Sequence, residues 1–121
     1  MHPVQQRNAL PTPAEAIVLT EDDIDHLPTI ALGGIGRGVS HRVLWEQDNA
    51  VAGVMRLRAK GQLDPHVHRR AYHDIWMIDG DCEILGRRVA AGSYVHVPAG
   101  VEHGVLAGDV GCTFLYVYRQ P

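Results

Sequence analysis

Only two cysteines, Cys82 and Cys112, occur in 121 residues, too few for a disulfide framework. Both read as reduced small hydrophobes. No apolar run approaches the roughly 20 residues of a membrane-crossing helix. The first residues, Met1-His-Pro-Val-Gln-Gln-Arg7, have neither the basic start nor the apolar stretch of a signal peptide. A cytoplasmic protein is the expectation. Basic residues are not in excess either: 11 Lys and Arg stand against 14 Asp and Glu, a formal charge of −3. Nucleic acids and anionic membranes require a basic surface, so neither is the expected partner. No long amphipathic helical pattern and no internal repeat is present. The glycine-rich stretch Gly33-Gly-Ile-Gly36-Arg-Gly38 lacks the spacing of a dinucleotide fingerprint and reads as a loop. Arg69-Arg70 and Arg87-Arg88 read as solvated turn residues.

What is present is the composition of one globular domain, 45% apolar and 21% charged. Residues 1 to about 18 are proline-rich and polar and read as an arm. Thr20-Glu-Asp-Asp23 has an N-cap residue and an acidic first turn, which predicts a short helix ending near Pro28. From Val43 onward the chain alternates short strand signals with turns. The predicted strands are Val43–Glu46, Val51–Arg58, Asp64–His68, His73–Ile78, Cys82–Leu85, Tyr94–Val97, His103–Ala107 and Cys112–Arg119. Asp79-Gly80 reads as a hairpin turn between two of them. The organisation is then an arm with a short helix and loop over residues 1–42, and an all-β sandwich or barrel over 43–121.

Four histidines fall at short fixed offsets: His66-Val-His68, then His73, and later His103. Imidazole is the commonest protein metal ligand. Alternate residues of a strand share a face, so His66 and His68 point the same way. His73 and His103 each open a strand, with Ile75 and Met77 behind the first and Val105 and Ala107 behind the second. Four imidazoles from three strands can meet at one mouth of a small barrel, with Ile75, Met77 and Val105 as an apolar wall. His96 is a candidate pocket-lining acid or base, though a structural role is the simpler reading. His2, His26 and His41 lie outside the pattern and read as solvated, and Glu102 as a surface residue. Trp76 and Ile78 fall on the face opposite His73, and an apolar outer face predicts coverage by a second sheet or a second subunit. A homodimer is expected.

Gly61, His66, His68 and Gly80, followed by Gly92, Pro98, Gly100 and His103, resemble the two sequence motifs of the cupin superfamily. The first motif is one residue short after Gly61. His73 stands where the superfamily usually carries glutamate, and Ala107 replaces the closing asparagine. The resemblance implies a cupin-type barrel (a double-stranded β-helix, or jelly roll) with a short N-terminal arm. It also implies one divalent transition metal per chain on His66, His68 and His103, with His73 either a fourth ligand or only a lining residue. Segments 66–80, 91–103 and 111–116 are further similar to small single-domain cupins that include bacterial aromatic polyketide cyclases, which are implied to hold zinc and direct aldol ring closure.

Neutral nitrogen donors suit Zn²⁺ or Fe²⁺, and also Ni²⁺, Mn²⁺ or Cu²⁺. Without the usual glutamate the ion keeps its full charge and is the stronger Lewis acid. The reading leans to an enzyme that uses the metal on a largely apolar carbonyl substrate, of cyclase, isomerase or lyase type. An Fe²⁺-dependent dioxygenase is the alternative enzyme, and a non-catalytic metal- or small-ligand-binding module the alternative of another class.

Overall fold

A computed structural model describes residues 15–120; most of the expected arm, residues 1–14, lies outside them. The first element of the described chain is the helix α1 (Glu21–Asp25). The Thr20 hydroxyl accepts a hydrogen bond from the Asp23 amide at 3.1 Å, and the Asp23 carboxylate accepts one from the Thr20 amide at 2.9 Å. This reciprocal capping box is why so short a helix forms. No helix among the described residues is long and apolar enough to cross a membrane.

Six strands follow: β1 (Gly36–Gln47), β2 (Ala50–His66), β3 (Tyr72–Ile84), β4 (Arg87–Ala90), β5 (Tyr94–Val97) and β6 (His103–Arg119). All pairings are antiparallel, in the order β1-β2-β6-β3-β4, with β5 also beside β3. Three of these strands are longer than the sequence suggests, because breaks read as turns are bends inside continuous strands. Asp79-Gly80 is no hairpin. β3 runs through it as an irregularity, slipping against β6 between Met77 and Asp79 and again between Gly80 and Cys82. β2 slips against β6 between Leu57 and Gln62.

The three bends share one level. Gly80 and Gly111 both adopt left-handed backbone, at φ 71° and 77°. A Cβ on Gly80 would run into the Gly111 carbonyl, and one on Gly111 into that of Leu57. Aligned irregularities of this kind fold a sheet over on itself. Residues from both sides of the bend then share one core: Leu57, Ile75, Met77 and Phe114 from one side, Leu63, Cys82, Ile84 and Val105 from the other. Cys112 is buried with them.

Two further differences bear on the site. β1 begins at Gly36, inside the stretch read as loop, because Gly36 and Arg37 pair with Leu63 and Gln62. Arg87 and Arg88, read as turn residues, belong to β4, which pairs with Asp81–Ile84 across Leu85-Gly86. Trp76 and Ile78 lie on the outer face, 40% and 55% exposed.

Candidate metal centre

The ends of the long strands bring the predicted histidines together. His66 closes β2, His103 opens β6, and the two are direct register partners. His68 lies just past β2 rather than within it, and its carbonyl accepts from the Gly100 amide at 2.8 Å. That bond ties its loop to the turn at Pro98. His73, second in β3, pairs with Tyr118.

The rings converge. The His66 centroid lies 4.5 Å from that of His103 and 4.9 Å from that of His68. His73 lies 4.4 Å from His68 and 5.4 Å from His103. Candidate ligand nitrogens of His66, His68 and His103 all fall within 4.8 Å of one another, and His73 is not one of that set.

The donor chemistry fits a metal ion. His66 Nδ1 lies 2.8 Å from the Asp64 carbonyl oxygen, and His103 Nδ1 3.0 Å from that of Val101. A carbonyl only accepts, so each Nδ1 carries the proton and each Nε2 presents a lone pair, the usual outer-shell arrangement of metal-binding histidines. His68 Nε2 is buried with no hydrogen-bond partner. A buried polar nitrogen without a partner costs about 1–3 kcal/mol, a cost that an ion would remove.

Burial and the neighbouring imidazoles push His73 down to about 3 and His68 to about 4, and burial lowers His103. In the unfolded chain these groups titrate near 6.5. Between 6.5 and the folded values, the unfolded state holds protons that the folded state lacks, so acid favours unfolding. Chelator-treated protein should therefore lose thermal stability steadily as pH falls from 6.5 toward 4, with little change above 7. His73→Gln should flatten that decline. A melting temperature independent of pH between 4 and 6.5 would contradict this electrostatic picture.

Beside the cluster opens a cavity of about 440 Å³. Its walls are largely apolar, with Leu32 and Ile35 from the segment before β1, and Val43, Met55, Ile75 and Phe114 from the strands. Val105 also lines it. Met77 is packed in the core behind the wall instead. His96 is not in the cavity: it lies exposed on the outer face, its Nδ1 2.9 Å from the Asp74 carboxylate, with Tyr72 beside it. Glu102 is exposed.

Besides the four histidines, the cavity's polar lining is His41, Glu46, Tyr116 and Tyr118. His41, read from sequence as solvated, is half-buried, and its Nε2 lies 2.6 Å from the Tyr116 hydroxyl oxygen. Burial lowers the His41 pKa, and burial with the nearby Glu46 raises that of Tyr116. Parity could have found His41: Val39, His41 and Val43 alternate with Ser40 and Arg42.

A single bent sheet closed over an apolar interior, with histidines gathered at its mouth, defines a cupin. Within that class the chain belongs to the family of ChrR cupin-like domains, whose model matches residues 15–121. No curated protein matches it by sequence. Among solved structures it is similar to the polyketide cyclase RemF from Streptomyces resistomycificus, with a TM-score of 0.72 and 21% identity over 84% of this chain and 80% of that one. It is also similar to a predicted oxalate decarboxylase from Thermotoga maritima, with a TM-score of 0.74 and 19% identity over 87% of this chain and 100% of that one. A third likeness is to a chain in the structure of Rhodobacter sphaeroides SigE in complex with the anti-sigma ChrR, with a TM-score of 0.66 and 21% identity over 78% of this chain and 49% of that one. These likenesses show a shared fold.

Proposed function

We propose that this cupin binds one divalent transition metal on His66, His68 and His103, with His73 as a fourth ligand, and uses it on a small, largely apolar carbonyl compound. The observation that carries this reading is the position of the histidine cluster on the wall of an apolar cavity of about 440 Å³. That volume falls in the range of small-molecule sites, whereas an ion held only for structure needs no such space. When bound, a divalent ion supplies Lewis acidity that stabilises negative charge on a carbonyl oxygen.

The chain's own residues do the rest. Backbone carbonyls of Asp64 and Val101 fix the His66 and His103 rings with Nε2 as the donor atom. Leu32, Val43, Met55 and Phe114 receive the apolar body of the ligand and exclude water around it. A cyclase, isomerase or lyase that works by removing a proton beside a carbonyl would draw on that chemistry.

The test requires no knowledge of the natural substrate. In D₂O, the metal-loaded protein should exchange the methyl protons of acetophenone faster than the chelated protein or the His103→Ala variant, followed by NMR. Equal rates in all three would overturn the enzymatic reading. For His73, the visible spectrum of the cobalt-substituted protein should change in His73→Ala, and an unchanged spectrum removes it from the ligand set.

A second reading rests on the family match and on the likeness to a chain of the SigE–ChrR complex. It is a non-catalytic module in which metal or ligand occupancy controls contact with a protein partner. Binding of metal and acetophenone without exchange would favour it. Activity retained with Zn²⁺, which is redox-inactive, would exclude an O₂-dependent reaction.

A further inference from the structure

The histidines supply the polar surface at one part of the cavity, and a second polar group is built into its wall. Tyr116 is 7% exposed and lies over Gly53, its register partner on β2. A Cβ on Gly53 would stand 2.5 Å from the Tyr116 hydroxyl oxygen, so the ring occupies a slot that exists because residue 53 has no side chain. On another side, His41 Nε2 lies 2.6 Å from that oxygen.

The direction of this hydrogen bond follows from the other ring nitrogen. His41 Nδ1 is buried with no hydrogen-bond partner. A buried N–H without an acceptor is rarer in folded proteins than an acceptor without a donor. The ring therefore carries its proton on Nε2 and donates it to the Tyr116 oxygen. The Tyr116 hydroxyl keeps its own hydrogen to donate on the cavity side, where Tyr116 forms part of the lining.

We infer that Tyr116, positioned by His41, donates a hydrogen bond to an acceptor oxygen of the ligand, and that the ligand carries two such oxygens on a small apolar body. The first oxygen meets the histidine cluster, which rests on the function proposed above. The second meets Tyr116. Phe114 and Ile75, which lie beside Tyr116 in the cavity lining, give the ligand's body an apolar bed. Tyr116 touches the ligand, whereas His41 acts through Tyr116 and is a positioning residue.

The test compares two probes of equal size, 1,4-diacetylbenzene and 4-isopropylacetophenone, which has a methyl group in place of one carbonyl oxygen. Dissociation constants are measured by NMR titration on zinc-loaded and on chelated full-length protein. The dicarbonyl should bind the zinc-loaded wild type about tenfold more tightly, of which twofold is its symmetry and the rest one hydrogen bond. Tyr116→Phe should reduce the ratio to twofold or less and leave the 4-isopropylacetophenone affinity unchanged. A purely structural role for Tyr116 would weaken both probes equally. Gly53→Ala, which displaces the hydroxyl without removing it, and His41→Phe should also lose the discrimination.

A tenfold ratio that survives in Tyr116→Phe, a ratio of twofold or less in the wild type, or failure of both probes to bind overturns the inference. The two chelated measurements separate it from the reading beneath it. Discrimination that persists while zinc changes neither affinity sinks the metal reading alone, and zinc-dependent affinity without discrimination sinks the Tyr116 assignment alone.

Discussion

Replacing His103 by alanine is expected to lower Zn²⁺ affinity by more than about 100-fold, since loss of an outer-shell partner alone typically costs 10- to 100-fold. His103 is 5% exposed, is anchored through Nδ1 to the Val101 carbonyl, and faces His66 across the β2–β6 ladder. Alanine leaves a gap in a buried wall that no neighbouring donor fills. The same change should abolish the thermal effect of the metal. With free Zn²⁺ at about 1,000 times its dissociation constant, binding adds about 4 kcal/mol to stability, on the order of 15 °C in Tm for a domain of this size. The wild type should thus melt about 15 °C lower after chelation, and His103→Ala should melt at one temperature with or without zinc. Competition titration against a chromophoric chelator and paired melts would check both statements. A His103→Ala protein that binds zinc as tightly as the wild type contradicts the assignment.

The largest effect on stability is expected at Gly80. Its φ of 71° already disfavours any other residue, and an added Cβ would meet the Gly111 carbonyl and stand 2.8 Å from Cys112 Cα. Both obstacles are backbone and cannot rotate away. Gly80→Ala should cost about 3 kcal/mol or more, roughly a 10 °C fall in Tm. Gly86 supplies the control. Its φ of 76° is nearly the same, but a Cβ there would meet nothing within 4 Å. Gly86→Ala should therefore cost only the left-handed penalty of about 1–2 kcal/mol. Equal losses in the two variants would show that the strand bend is not held by this close approach.

The same residue marks where sequence reading reached its limit. Asp-Gly between two apolar runs is a local signal for a hairpin, and local signals cannot distinguish a turn from a bulge. The choice is made by β6 and β2, which bend at the same level around Gly111 and after Leu57, far away in sequence. The histidine grouping was legible because strand parity and the motif glycines fix it locally: His66, His68 and His103 needed only the ends of β2 and β6 to meet. His41 was legible by parity alone, in the alternation of Val39, His41 and Val43, and was passed over for want of a motif around it. It is a lone polar residue, and its strand begins earlier than the glycine-rich stretch suggested. Tyr116 was visible only as an aromatic of the last strand, since its partner Gly53 belongs to a different strand and the slot between them exists only in three dimensions. His96, a candidate pocket-lining residue for which a structural role was the simpler reading, shows the converse limit. Its parity with Tyr94 was right, but that face is the outer one, because Val97, of opposite parity, is 1% exposed in the core.

The central claim is that these imidazoles hold a metal ion, and elemental analysis of protein purified without an affinity tag tests it most directly. The account predicts close to one divalent transition metal ion per chain, lost on chelation and restored by stoichiometric Zn²⁺ or Fe²⁺. Protein that is purified without metal, and that takes up none when either ion is added at neutral pH, would contradict it.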